Sequence, residues 1–145
     1  MSVETIVLSN DLKELERLSV FLRSLSAAMK MDDQTLNLLN LVCDELVTNI
    51  IMYGYPQEEM RTHAIRIDIG RAADGWGLQI TDRGVAFNPL LKADPRLDLG
   101  VEERPIGGLG IHFVRQVMDE MSYERVGHEN VLTMTKRRIK EEGIS

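Results

Sequence analysis

The apolar positions of this chain change period several times, and each change marks the start of a different element. Val3 to Leu8 reads as a short first strand, and Ser9-Asn10-Asp11 after it offers side chains able to cap a helix. Leu12, Leu15, Leu18, Phe21, Leu22 and Leu25 then recur at helical spacing, which predicts an amphipathic helix to about Met29. Asp32 and Asp33 open a second helix, predicted to reach Met52 or Tyr53 before Gly54-Tyr55-Pro56 stops it. Ala64, Ile65, Ile67 and Ile69 put apolar groups on one face and Arg66 and Asp68 on the other, the period of a strand. The turn Ala73-Asp74-Gly75 leads into a second strand, Trp76 to Thr81, and so predicts a hairpin. Residues 83–106 hold Gly84, Pro89, Pro95, Pro105 and many charges, and predict one long loop; a loop of that length in a compact domain is usually functional. Leu109, Ile111, Phe113, Val114, Val117 and Met118 mark a helix that starts at glycines. Tyr123 to Val126 and Val131 to Thr135 close the chain as a hairpin around Gly127. Strands and helices thus come in clusters, the pattern of an α+β fold: a two-layer sandwich with helices on one face of a largely antiparallel sheet.

At 145 residues and 43% hydrophobic, the chain fits one domain with one core, spanning 1–145. A net charge of −6 argues against a nucleic-acid surface, which needs a basic face. The basic run Lys136-Arg137-Arg138 and Lys140 is followed by Glu141 and Glu142 and reads as a solvated end. Cys43 is the only cysteine, which precludes an internal disulfide and fits a reducing cytoplasm. No basic segment followed by an apolar stretch opens the chain, so no signal peptide is expected. The longest apolar region, Leu36 to Tyr55, is interrupted by Asn40, Asp44, Glu45 and Asn49, and no membrane span is expected from it.

Three segments carry chemistry. Glu45 and Asn49 lie four residues apart and stack on one helical face; at ~100° per residue, Leu38, Val42 and Met52 fall within about 40° of their mean direction. A carboxylate in an apolar sector is costly unless paired or wetted. Glu45 is therefore either a residue at the core's edge reaching water, or a general base beside a carboxamide oxygen that ligates a hard cation. Asp82, at the end of a strand and closely followed by Gly84, is either a turn former or an acceptor for the exocyclic amine of a base, with Gly84 letting the backbone pass close to the ring. Gly107-Gly108-Leu109-Gly110 leads straight into a helix, either as a flexible start or as a set of exposed amides suited to phosphate. It lacks the Lys-Ser/Thr of a P-loop and does not follow a strand as a dinucleotide fingerprint would. His63, His112 and His128 are scattered without ligand spacing, so zinc is not expected.

Together these segments resemble the GHKL ATPase superfamily and, more narrowly, the bacterial anti-sigma factor serine/threonine kinases. Glu45-Leu-Val-Thr-Asn49 with Gly54-Tyr55 resembles the asparagine box. Asp82-Arg-Gly84-Val-Ala-Phe87-Asn88-Pro89 resembles the first glycine box. Arg104-Pro-Ile-Gly107-Gly108-Leu-Gly110-Ile resembles the second, and Asn130 to Lys136 the final strand. The resemblance covers nearly the whole chain. It implies a histidine-kinase-like (Bergerat) ATP-binding fold with a mixed, mostly antiparallel sheet and an ATP lid at about 88–108. It further implies ATP and Mg²⁺ as cofactors, with Glu45 as the base that takes the partner hydroxyl's proton and Asn49 as the metal ligand. Asp82 would read adenine, and Gly84 would shape its pocket. Gly107, Gly108 and Gly110 would hinge the lid and present amides to phosphate, with Phe87 and Leu109 completing the nucleotide-binding set. Arg104 would be the lid cation near the γ-phosphate, in competition with Lys92 and Arg96.

The activity implied is that of a cytoplasmic, homodimeric kinase in a partner-switching module. It would phosphorylate an anti-anti-sigma antagonist and alternately sequester a sigma factor, with no direct contact to nucleic acid or membrane. Two departures bear on this. Tyr53 stands where these kinases often have His, which also leaves open an ATP-gated binding module with little turnover. Asn130 stands where the superfamily often has Thr near the adenine. A detached histidine-kinase domain is a further alternative, against which the chain offers no upstream hairpin with a phosphoacceptor His.

Overall fold

The isoleucines of the predicted strand are the centre of the molecule. In the computed structural model, which describes residues 3–56, 59–91 and 108–138, Ile65, Ile67 and Ile69 are all but fully buried. Burial of each such side chain contributes about 1.5–3 kcal/mol. They lie on β2 (Ile65–Ala72), which pairs with β1 (Val3–Leu8) on one side and β3 (Gly75–Asp82) on the other. The chain then runs through α3 (Gly108–Val117) into the hairpin β4 (Glu120–Val126) and β5 (Glu129–Arg137), turning at Gly127 with φ +62°. The sheet order is β1-β2-β3-β5-β4.

Among the described residues all four strand pairs are antiparallel, where the resemblance implied a mixed sheet. The hairpin accounts for the difference. β4 runs parallel to β3, but its returning partner β5 is inserted between them, so the only contact across that seam is antiparallel. β4 is left as an edge and begins at Glu120, three residues before the expected Tyr123. Its Glu120, Ser122 and Glu124 are exposed and alternate with half-buried Met121 and Tyr123, which pack against the core.

Trp76, Leu78 and Ile80 from β3, and Leu132 and Met134 from β5, point to the same side as the β2 isoleucines. That face is covered by α1 (Glu14–Met29), α2 (Asp33–Asn49) and α3, with α2 packed between the other two. Asp32 caps α2 by accepting the Thr35 N–H at 2.9 Å. At α1 the expected capping side chains act differently. Asp11 accepts the Lys13 amide at 2.9 Å, and Glu14 reaches back to the Ser9 amide at 2.8 Å while pairing with Arg17. That pairing, with the Ser9 bond, holds the Glu14 carboxyl down at about 2.

After Asn49 the helix does not stop but loosens into one π turn, Ile50–Gly54. Helix and turn together make 22 residues, long and apolar enough by length and composition to cross a membrane. The polar interruptions at Asn40, Asp44, Glu45 and Asn49 are thus too few to exclude a span on composition. Leu39, Val42, Leu46, Val47 and Ile51 of this segment are all buried in the core, as in the central helix of a folded domain. Cys43 is buried beside them, which pushes its thiol up to about 12 and leaves it without a reactive thiolate.

Candidate functional site

Where α2 runs into the π turn, Leu46, Asn49, Ile50, Tyr53 and Gly54 fall on one side and form a wall of a cavity of about 120 Å³. Ile80, Ile111 and Leu132 close it from the sheet and α3, and Phe87 and Pro89 close it from the loop after β3. Its lining is apolar except for three buried side chains, Asp82, Asn49 and Asn130, and the two tyrosines, Tyr53 and Tyr123. Sites that enclose a whole ligand usually start near ~300 Å³, so this space takes one ring system and not more.

Asp82 ends β3 on the same inward face as Ile80 and is 6% exposed. Its Oδ1 accepts the Gly84 amide at 2.8 Å and the Asn130 carboxamide N–H at 3.0 Å. Burial raises the Asp82 carboxyl above the ordinary value of 3.8, and the Asn130 and Gly84 bonds and nearby Arg125 oppose that rise. A buried carboxylate with one oxygen already tied is suited to accept from a base amine with the other.

Gly84 is needed for a reason that its place in the motif did not reveal. A Cβ there would stand 2.5 Å from the carbonyl oxygen of Gly54, and the next amide, Val85 N–H, donates to that same oxygen at 2.8 Å. The Tyr55 hydroxyl accepts the Arg83 amide at 2.8 Å and donates to the Ala64 carbonyl at 2.6 Å. Gly84 therefore fastens the loop after β3 to the end of α2. Gly84→Ala should lower the melting temperature by roughly 3–10 °C, because backbone must give way. An unchanged thermal midpoint would contradict this contact.

Glu45 lies one helical turn before Asn49, beside the cavity rather than in its lining. The Asn49 amide donates to Glu45 Oε2 at 3.0 Å, and Asn49 is 9% exposed. With its nitrogen so engaged, Asn49 has its Oδ1 to offer a cation. Among the described residues no three His, Cys, Asp or Glu gather, so a metal here would draw most of its oxygens from phosphate and water. That is the usual habit of Mg²⁺, and the donor set fits it. The Glu45 carboxylate also rests against the first turn of α3: a Cβ on Gly110 would coincide with it. Gly110 thus brings the positive end of α3 onto the Glu45–Asn49 pair.

Of the expected site residues, Asn49, Asp82 and Phe87 line the cavity, and Glu45 and Gly110 meet at its side. Gly108 and Leu109 begin α3. Arg104 and Gly107, the competing Lys92 and Arg96, and most of the expected lid at 88–108 lie outside the described residues. The motifs did not single out Leu46, Ile50, Ile80, Ile111 and Leu132 as cavity walls. For Leu46, Ile80 and Leu132 the helical or alternating spacing from Asn49, Asp82 and Asn130 was the available signal.

A ring-sized apolar cavity floored by one buried acid, between helices and an antiparallel sheet, is the arrangement of a base-binding α+β sandwich. Comparison with known proteins makes this specific. The model of the histidine kinase-like ATPase domain matches residues 8–136, and the chain belongs to that family, whose members bind ATP. The serine/threonine-protein kinase BtrW of Bordetella bronchiseptica is 29% identical over 97 residues, 67% of each protein. Among solved structures, the RsbU and RsbW domains of Rv1364c from Mycobacterium tuberculosis align with a TM-score of 0.68 at 16% identity. That alignment covers 97% of this chain and 34% of the other, so the chain spans about a third of that protein. The Acinetobacter baumannii histidine kinase AdeS aligns with a TM-score of 0.50 at 16% identity, over 97% of this chain and 70% of the other. Both structural likenesses concern the fold. The GHKL resemblance drawn from the motifs is borne out at the level of the family.

Proposed function

We propose that this protein is an ATP-dependent serine/threonine protein kinase acting as an anti-sigma factor. It phosphorylates an anti-anti-sigma antagonist and, in alternation, sequesters a sigma factor. The observation that carries the proposal is the Glu45–Asn49 pair held beside the cavity and against the first turn of α3. The serine/threonine kinase relative supports the same reading.

In this mechanism the cavity takes adenine, with Asp82 accepting from its exocyclic amine. The triphosphate extends toward Asn49 and the start of α3. Asn49 would hold Mg²⁺, which would supply charge neutralisation on the phosphates. A serine or threonine hydroxyl of the antagonist loses its proton to Glu45 as its oxygen takes the γ-phosphoryl group and ADP departs. Positioning and electrostatics supply most of the acceleration in phosphoryl transfer, and the carboxylate adds to them. The protein works as a homodimer in the cytoplasm, and its net charge of −6 accords with protein partners rather than nucleic acid.

One observation favours a second reading. Tyr53, a cavity-wall residue that is 48% exposed, occupies the position where these kinases often have His. An ATP-gated binding module with little turnover would tolerate that exchange. Incubating the purified chain with radiolabelled ATP, Mg²⁺ and a purified anti-anti-sigma protein separates the two. Label on a serine or threonine of the antagonist supports the kinase. ATP binding without transfer supports the module.

A further inference from the structure

Asn130 on β5 is the cross-strand partner of Asp82 on β3, so the two side chains leave the sheet side by side. A carboxamide has two N–H donors and one oxygen with two lone pairs, and in Asn130 all four are engaged. The nitrogen donates to Asp82 Oδ1 at 3.0 Å and to the Val85 carbonyl at 3.0 Å. The oxygen accepts the Tyr123 hydroxyl at 2.5 Å and the Phe87 amide at 3.3 Å. The amide can sit only one way round. Turned over, it would set its oxygen against the Asp82 carboxylate and the Val85 carbonyl, and an N–H against the Phe87 amide, with repulsion at all three of these contacts.

We infer that Asn130 is a positioning residue that sets the Asp82 carboxylate for base recognition without itself touching the base, and that Tyr123 anchors its amide oxygen. The inference rests on the nucleotide reading of the cavity. No donor or lone pair of Asn130 is left for a ring nitrogen. Its work passes through Asp82, whose Oδ1 it helps to occupy, leaving Oδ2 as the acceptor. The same amide ties Val85 and Phe87, and Phe87 is itself a cavity wall. Base recognition is thereby coupled to the edge strand β4 through one tyrosine hydroxyl.

The other groups that bear on Asp82 are few. Arg125 on β4 donates to the Gly84 carbonyl at 3.0 Å. Glu129 at the start of β5 pairs with Arg83 at 3.3 Å. The Tyr55 hydroxyl lies beyond Arg83. None of these contacts depends on the Asn130 amide, so a change confined to it reaches Asp82 through their shared bond and the loop through Val85 and Phe87.

Asn130→Asp is the sharpest test, since it keeps the acceptor for Tyr123 and Phe87 and removes only the donors. Calorimetric titration with ATP across pH compares wild type, Asn130→Asp and Tyr123→Phe. In the wild type, affinity falls on the acid side as Asp82 takes a proton. In Asn130→Asp two carboxyls face each other and share one, so that fall should move to higher pH by about one unit or more. Tyr123→Phe should move it the same way by less, and serves alone if the carboxylate pair prevents folding. A purely structural role would weaken binding by one factor at every pH, and an unmoved acid limb in a variant that binds ATP overturns the inference while leaving the nucleotide site intact. A wild type that does not bind ATP overturns the nucleotide reading itself.

Discussion

Asp82→Asn should weaken ATP binding by roughly 10- to 150-fold, the equivalent of losing a hydrogen bond to a charged group worth about 1.5–3 kcal/mol. The direction follows from which oxygen is already occupied. Asp82 Oδ1 accepts two internal N–H groups, from Gly84 and Asn130. An asparagine must keep its oxygen there, which turns its NH₂ toward the cavity. The exocyclic amine of adenine would then face a donor instead of an acceptor, so a nearly isosteric change becomes a repulsive one. Fold stability should change far less, because both internal bonds survive. Isothermal titration together with a thermal melt checks both statements. Unchanged affinity would remove Asp82 from the base site.

Acid should act on the same group. The folded-state value of Asp82 is raised by burial, so the proton enters above the usual 3.8. The carboxylate is the binding form, so affinity is full at neutral pH and declines on acidification, earlier than for an exposed aspartate. The sign for stability is the opposite. A carboxyl raised on folding favours the folded state as pH falls, so lost binding at mildly acid pH should not be accompanied by unfolding from this group.

Glu45→Gln should lower phosphoryl transfer to an antagonist protein by roughly 10²- to 10⁴-fold, the usual contribution of a positioned general base. ATP affinity should stay within a few-fold. Glutamine keeps the size of the side chain, fits the same space against Gly110, and can still accept from the Asn49 amide. Only the capacity to take a proton is lost. Measuring transfer under single-turnover conditions separates this from nucleotide binding. A full transfer rate in the variant would assign Glu45 to structure alone, as a carboxylate that stabilises the start of α3.

Much of this was legible in the residues because the chemistry is local. Glu45 and Asn49 are one turn apart on a helix, so periodicity alone places them together. Asp82 and Gly84 are joined by a two-residue turn. The isoleucines of β2 announce their own strand. What stayed hidden depends on partners far along the chain. Gly84 is required by the Gly54 carbonyl and Asp82 is held by Asn130, and no spacing rule links those positions. The π turn at Ile50–Gly54 reads in sequence as ordinary helix, since a loosened turn has no residue signature apart from its end at Gly54. β4 begins before Tyr123, where Met121 already alternates with it, because the ladder with β5 reaches back to Glu120 opposite Thr135. The antiparallel seam between β3 and β5 follows from hairpin insertion, a matter of topology that local pattern does not encode.

The account rests on adenine occupying the space between the end of α2 and the loop after β3. A crystal structure with a non-hydrolysable ATP analogue and Mg²⁺ tests it most directly. The base should lie against Ile80 and Leu132 with its amine on Asp82, and the metal should sit on Asn49 Oδ1. A nucleotide seated anywhere else, or a cavity still empty at saturating analogue, would contradict it.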